Sequence, residues 1–175
     1  FLECLLHPQR EAMIHIFFGE RTAGKILDVP KDTETQKIGS AGVVGSGTMG
    51  GGIAMNFANA GIPVIVLDQD EKNLERGIGV IEKNYQMMVD RGRLSQEMKD
   101  GVMSLITPSL NYEDLGDCDI VVEAVYENLE LKQEIFKKLD DVVKGDAILA
   151  SNTSGLDIDA ISSATERPEK VVGTH

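Results

Sequence analysis

Only two cysteines, Cys4 and Cys118, occur in 175 residues, and they lie in unrelated contexts. Neither a disulfide framework nor a metal cluster follows from them, and a reducing compartment is the simpler expectation. Basic charge is scarce as well: 17 Lys and Arg against 29 Asp and Glu leave a net charge of −12. That balance argues against a nucleic-acid or anionic-membrane surface. Any polyanionic ligand must therefore be held by local devices such as helix N-termini or single basic side chains. No apolar run approaches the length of a membrane span, and no cationic stretch leading into an apolar one marks a secretory signal. An initiating methionine is missing too; the chain opens on Phe1, as expected of a piece with an upstream part. The length suffices for one sizeable core, or one domain plus a tail.

Glycine, by contrast, is plentiful at 18 residues, and Gly45, Gly47 and Gly50 fall in GxGxxG spacing. Glycine-rich turns also occur as plain loops, so the flanking residues decide. Val43 and Val44 stand immediately before the first glycine, where a buried parallel strand would stop. A helix is expected over residues 48–60, closed by Gly61, followed by the β-branched run Val64, Ile65, Val66 and Leu67 and then Asp68. Strand, glycine turn, helix, strand and acid in this order point to a dinucleotide site. The first glycine permits the tight turn, the second lets backbone approach a pyrophosphate, and the third lets helix and strand pack closely. The helix start aims free N–H groups at the phosphates. Asp68 follows Gly50 at roughly the separation expected of the acid that binds the adenosine ribose, and a carboxylate there repels a 2′-phosphate. NAD is therefore preferred over NADP.

The first 36 residues differ in character. Residues 9–18 suit a short helix with Met13, Ile16 and Phe17 on its apolar side, and Gly19, Gly24 and Pro30 then punctuate the chain. This arm is too small to fold alone; it reads as a linker whose apolar side rests on another domain, with a boundary at residues 31–37. His7 and His15 sit there without companion ligands and read as surface or packing residues. Farther on, Leu74, Ile78, Ile81, Tyr85 and Met88 line one face of a long helix over residues 71–91, which Gly77 and Gly79 weaken. A short helix to about Met103 and a strand at residues 105–107 follow. Met87, Met88, Met98 and Met103 fit gap-filling in the core better than an adaptable groove.

A strand from residue 119 that gives way to a loop at Glu123 or soon after, a helix over 128–143 and a strand over 147–150 continue the alternation. Such a rhythm implies a doubly wound α/β fold: a mostly parallel sheet with helices on both faces, preceded by the helical arm. Ligands of such sheets bind at the carboxyl ends of the strands, where Glu123, Ser151, Asn152, Thr153 and Ser154 all fall. On spacing alone, the Ser-Asn-Thr-Ser-Gly run reads as a helix cap or turn. A last strand at residues 171–173 would deliver His175 to the same rim, near the nicotinamide end of a dinucleotide. Imidazole is a residue type suited to accept the proton in an alcohol oxidation.

Taken together, GVVGSGTMGGGIA, VIVLDQD, DIVVEAVYENLELK, LASNTSGLDI and ERPEKVVGTH resemble the NAD-binding domain of the 3-hydroxyacyl-CoA dehydrogenases of fatty-acid β-oxidation. The resemblance runs from about Lys37 to the end. The arm, including FFGERTAGK, resembles the linker that joins an enoyl-CoA hydratase domain to the dehydrogenase in bacterial and peroxisomal multifunctional proteins. What the resemblance implies is a Rossmann-type domain over residues 37–175, cut before a C-terminal helical domain. NAD would lie with its pyrophosphate on Gly45, Gly47, Thr48, Met49 and Gly50 and its adenosine ribose on Asp68. Glu123, Val125, Tyr126, Glu127, Asn128 and Lys132 would line the nicotinamide half. Ser154 matches the family serine that hydrogen-bonds substrate, and His175 matches the catalytic base. Asn84 and Arg91 match positions that meet coenzyme A, and no metal is implied.

In the family a glutamate soon after the histidine orients it and a helical domain closes the substrate site, so a chain ending at His175 is expected to be nearly inactive alone. The longer parent is expected to be oligomeric, with an acyl-CoA substrate and a possible thiolase partner, in bacterial cytoplasm or in a peroxisome. Another β-hydroxyacid dehydrogenase shares the GxGxxMG opening but typically uses a catalytic lysine in its helical domain. A non-catalytic NAD-binding protein, of the kind recruited as lens crystallins, is the alternative from a different class.

Overall fold

A computed structural model describes residues 2–26, 29–30 and 32–175, and the chain separates into two compact units, residues 1–36 and 37–175. Phe1, Lys31 and residues 27–28 lie outside the described residues, and with them one end of the boundary expected at residues 31–37.

The first unit holds two helices, α1 (Leu2–Leu6) and α2 (Gln9–Ala23), with no buried residue in either. α2 runs five residues past the expected end at residue 18, because Gly19 is tolerated inside it at a cost of about 1 kcal/mol and Gly24 provides the C-cap. Phe17 and Phe18 meet edge to face at 5.4 Å, and the Arg21 guanidinium lies 4.0 Å from the Phe17 ring. His7 and His15 are exposed.

The second unit is one six-stranded sheet, all neighbours parallel. Its elements in chain order are β1 (Ala41–Val44), α3 (Thr48–Asn59), β2 (Val64–Leu67), α4 (Glu71–Asp90), α5 (Gln96–Met103), β3 (Ile106–Ser109), a 3-10 turn (Tyr112–Leu115), β4 (Ile120–Glu123), α6 (Leu129–Val142), β5 (Ile148–Ser151), α7 (Ile158–Ser162), a second 3-10 turn (Pro168–Lys170) and β6 (Val171–Gly173). The strand order is β3-β2-β1-β4-β5-β6. Crossovers turn one way from β1 to β3 and the other way from β4 to β6, so the direction reverses between β1 and β4.

Alternation along each strand builds two cores. Val43 and Val66 face α3 and α4, packing with Ala54, Ala58, Leu74, Ile81 and Tyr85. Val44 and Leu67 face the other side, packing with Leu115, Ile135, Phe136, Leu139 and Ile161. Side-chain caps start α4 to α7: Asp70 accepts from Asn73 N, Ser95 from Met98 N, Asn128 from Leu131 N and Asp157 from Asp159 N.

Several local expectations change. β3 continues through Pro108, which an edge strand tolerates because no inner neighbour needs its missing N–H. Met87, Met88 and Met98 are exposed at 39%, 38% and 59%, so they do not fill the core; Met103 alone of the four packs against it. α4 rises about 30 Å against about 13 Å for a four-residue strand, so its far end outruns the sheet. There α5 folds back on it, and the buried Lys99 ammonium bonds Gln86 Oε1 at 2.8 Å and Glu82 Oε1 at 3.4 Å. Both 3-10 turns and α7 are short, irregular elements without a readable period.

Candidate functional site

Parallel pairing puts Leu67, Val44, Glu123, Ser151 and Gly173 on one level across five strands. The next residues along each strand therefore form the carboxyl rim: Asp68, Gly45, Ala124, Asn152 and Thr174. At about 4.8 Å per strand, that rim runs about 19 Å from the β2 tip to the β6 tip.

The glycine turn sits at the reversal point between β1 and β4. Gly45 takes φ +104°, a conformation that disfavours a side chain, and an added Cβ would lie 2.7 Å from Ala124 O. At Gly50 an added Cβ would come within 1.8 Å of Gly45 O, so the helix can approach the strand only without one. At Gly47 it would meet nothing, leaving the backbone beside the start of α3 open to a ligand. α3 has no side-chain cap and no acidic residue in its first turn, unlike α4 to α7. Thr48 and Met49 are exposed beside it. Open backbone, an uncapped helix start and a first turn free of acidic residues suit an anionic diphosphate, so these residues fit a dinucleotide.

Asp68 is tied to that turn. Its Oδ2 accepts from Ser46 N at 3.0 Å and Ser46 Oγ at 2.6 Å, and its Oδ1 accepts from Asp70 N at 3.3 Å. Partial burial pushes the carboxyl up, but the Ser46 hydroxyl and amide together with the Asp70 and Gln69 amides outweigh it and hold it below the usual carboxylate value. A carboxylate offers about four lone-pair positions, so Oδ1 keeps capacity for a ribose hydroxyl.

At the other half of the rim, the expected nicotinamide residues divide. Val125 is half-buried, Tyr126 is 87% exposed, and Glu127 is open to the rim. The Glu123 side chain is fully buried, with Oε1 accepting from Lys132 Nζ at 2.6 Å and Val125 N at 2.7 Å, and Oε2 from Ser151 Oγ at 2.7 Å. Lys132 is buried beside it. Its ammonium is 1% exposed and lies beneath the rim between Glu123 and, at 3.5 Å, Glu127 Oε2. Asn128 spends its Oδ1 as the α6 cap.

Glu127 reaches across to the loop after β5. Its Oε1 accepts from Thr153 Oγ1, Ser154 N at 3.2 Å and Gly155 N at 3.3 Å. The Thr153 hydroxyl, followed by the Lys132 charge and the Gly155 and Ser154 amides, holds the Glu127 carboxyl below its ordinary value against some desolvation. The run from Ser151 to Gly155 is therefore not the cap of α7, which is Asp157; it is a turn closed by Thr153. Ser154 stands exposed at its crest, and His175 is exposed beyond β6, after Thr174 N bonds Ser151 O at 2.9 Å.

Asn84 and Arg91 are elsewhere. They lie about 20 and 30 Å along α4 from its start at the rim, with the Asn84 amide 3.9 Å from Met55 Sδ and Arg91 exposed. Sequence reading gave no site role to Ser46 or Gly77, and it placed Thr153 on the rim without its bond to Glu127. An added Cβ on Gly77 would strike Ser46 O at 2.3 Å, so that glycine seats α4 against the turn; nothing in its neighbours signals this. No group of three or more metal-ligating side chains occurs among the described residues, and none of their helices is long and apolar enough to cross a membrane.

Residues 40–175 match the family described as 3-hydroxyacyl-CoA dehydrogenase, NAD binding domain. Over 175 residues the chain is 38% identical to the fatty acid oxidation complex subunit alpha of Psychrobacter arcticus, covering all of this chain and 24% of that protein. It is 40% identical over 166 residues to the peroxisomal fatty acid beta-oxidation multifunctional protein MFP2 of Arabidopsis thaliana, covering 94% of this chain and 23% of the relative. The crystal structure of M. tuberculosis FadB2 superposes with a TM-score of 0.78 at 40% identity, over 80% of this chain and 50% of that one. The chain thus spans about a quarter of the length of the curated multifunctional relatives it matches.

Proposed function

Because this chain belongs to the NAD-binding domain family of the 3-hydroxyacyl-CoA dehydrogenases, we propose that it supplies the cofactor site and the proton-accepting base for oxidation of a (S)-3-hydroxyacyl-CoA to the 3-oxoacyl-CoA. The observation that carries the reading is the rim itself. An acid, a glycine turn with an open helix start, an exposed serine and an exposed histidine follow one another across five parallel strands. A dinucleotide spans such a rim from ribose to nicotinamide.

Asp68 would bind the adenosine ribose hydroxyls, and the N–H groups of Thr48, Met49 and Gly50 would face the diphosphate. NAD held on these residues would supply the acceptor for the hydride leaving C3. The Ser154 hydroxyl donates to the substrate C3 oxygen and orients it, and the unprotonated ring nitrogen of His175 takes the proton of that hydroxyl. In the reverse direction the imidazolium returns it. Val125, Tyr126 and Glu127 line the nicotinamide half, with Lys132, itself held by Glu123, bracing Glu127 from below. Asn84 and Arg91 would meet coenzyme A, where a guanidinium suits phosphate in so acidic a chain.

Residues 1–36 are read as the linker from an upstream hydratase-like domain, and residues 37–175 as the dinucleotide domain. The parent protein would be oligomeric, in bacterial cytoplasm or in a peroxisome, in keeping with the bacterial and peroxisomal relatives.

The test is a fluorescence titration of this chain with NADH and NADPH, paired with turnover of acetoacetyl-CoA and NADH by the full-length protein. Binding of NADH well ahead of NADPH, with turnover, is expected. Equal affinity for the two removes the role of Asp68, and NADH binding without turnover would favour the non-catalytic alternative.

A further inference from the structure

The loop that carries Ser154 is held by two carboxylates that flank a single buried ammonium. Ser151, at its start, donates its hydroxyl to Glu123 Oε2 at 2.7 Å, and Asn152 N donates to Glu123 O at 2.8 Å. Thr153, Ser154 and Gly155 all donate to Glu127 Oε1. Lys132 Nζ sits between the two acids, 2.6 Å from Glu123 Oε1 and 3.5 Å from Glu127 Oε2. Both acids are therefore fixed by the same cation, and the loop is strung between them.

We propose that Thr153 is a positioning residue, whose hydroxyl locks this loop onto Glu127 and so determines where Ser154 presents its own hydroxyl. The proposal rests on the reading of Ser154 as the group that holds the substrate oxygen. Thr153 is 7% exposed, and its hydroxyl works in both directions at once. It donates to Glu127 Oε1 and accepts from Leu156 N at 2.9 Å and Gly155 N at 3.3 Å. It caps no helix, since α7 is capped by Asp157. The two residues after it, Ser154 and Gly155, are exposed, and an added Cβ at Gly155 would meet nothing within 4 Å. Packing does not hold the crest of the loop, so the hydrogen bonds must. Small displacements of a positioning group are enough to slow an oriented reaction strongly.

Thr153→Val keeps the shape and loses both functions of the hydroxyl, whereas Thr153→Ser keeps both. In the full-length protein, Thr153→Val is expected to lower kcat for acetoacetyl-CoA reduction about tenfold or more, with the NADH Kd within about threefold of the parent. Thr153→Ser should stay within about twofold of the parent in both quantities. Thr153→Ala, which removes the hydroxyl without a second methyl, is the substitute if the valine variant fails to fold and should match its expected loss. Three results overturn the proposal: a parental kcat in the hydroxyl-free variant, a serine variant as slow as valine, or an NADH Kd that weakens in step with kcat.

Should the parent not bind NADH at all, the functional reading falls and the clamp is tested by itself through carboxyl carbon NMR of this chain. Glu127 then titrates below its ordinary value in parent and Thr153→Ser, and moves up towards that ordinary value in Thr153→Val. An unmoved Glu127 titration refutes the clamp.

Discussion

Ser46 occupies a position that the glycine spacing leaves unspecified, yet three neighbours converge on it. Its amide and hydroxyl hold Asp68, the hydroxyl also lies 3.0 Å from Asn73 O, and its carbonyl marks the closest approach of Gly77. Asp68→Ala is expected to weaken NADH binding by about 1 to 3 kcal/mol, the cost of leaving a bound hydroxyl without its acceptor, as read by fluorescence titration. NADPH binding should change less, so the preference between the two shrinks. Gly77→Ala forces Cβ into Ser46 and should destabilise the fold by about 1 to 3 kcal/mol in urea unfolding while also weakening NADH. An alanine at Gly79, where an added Cβ meets nothing, should stabilise α4 by about 0.5 to 1 kcal/mol instead. The two glycines look alike in the helix pattern and differ only in what stands opposite.

At the scale of elements, α6 has the most heavily guarded end. The Arg167 guanidinium donates to the carbonyls of Asp140 at 3.0 Å, Val143 at 2.9 Å and Lys144, and its Nε donates to Asp140 Oδ1 at 2.6 Å. The Asp140 and Val143 carbonyls, in the last turn and at the C-cap, are of the kind that the end of a helix leaves without partners. Arg167→Met should cost about 3 to 5 kcal/mol in denaturant unfolding, since it orphans carbonyls and leaves the nearly buried Asp140 carboxylate short of its cation. Helices and strands were legible in the chain because apolar periodicity and caps are local: the expected ends of α3, α4 and α6 differ from the observed ones by no more than one residue. Arg167 was not, because its partners lie 23 to 27 residues away. The 3-10 turns and α7 were missed for want of a period.

For the whole dinucleotide unit, entry of the chain into the sheet depends on one acid. Asp119 Oδ2 accepts from Gly39 N at 2.6 Å and Ser40 N at 2.9 Å, joining the approach to β1 to the start of β4, and its Oδ1 pairs with Lys144. The Lys144 ammonium and these amides draw the Asp119 carboxyl down from 3.8 to about 2. A depressed carboxyl contributes stability that is complete above its unfolded value and disappears as pH falls through the folded one. The unfolded chain binds more protons in that window, so stability falls with pH between about 4 and 2. Thermal melts across this range should show it, and Asp119→Asn should flatten that part of the profile while lowering stability at neutral pH. Lys144, raised by the same contact, contributes below 10.5 and loses that contribution as pH rises past it.

Composition, periodicity and spacing determined that this chain alternates strands with helices, that a glycine turn joins the first pair, and that an acid closes the second strand. Those features are written within a few residues of each other, where sterics and burial act along one element. Only the tertiary structure decided the strand order, the two-sided core, the burial of Glu123 and Lys132 beneath the rim, the need for glycine at position 77, and the fastening of the Ser154 loop through Thr153 and Glu127. Each of those depends on which groups meet across the sheet, and the free energy of such a meeting belongs to the pair, not to either segment alone.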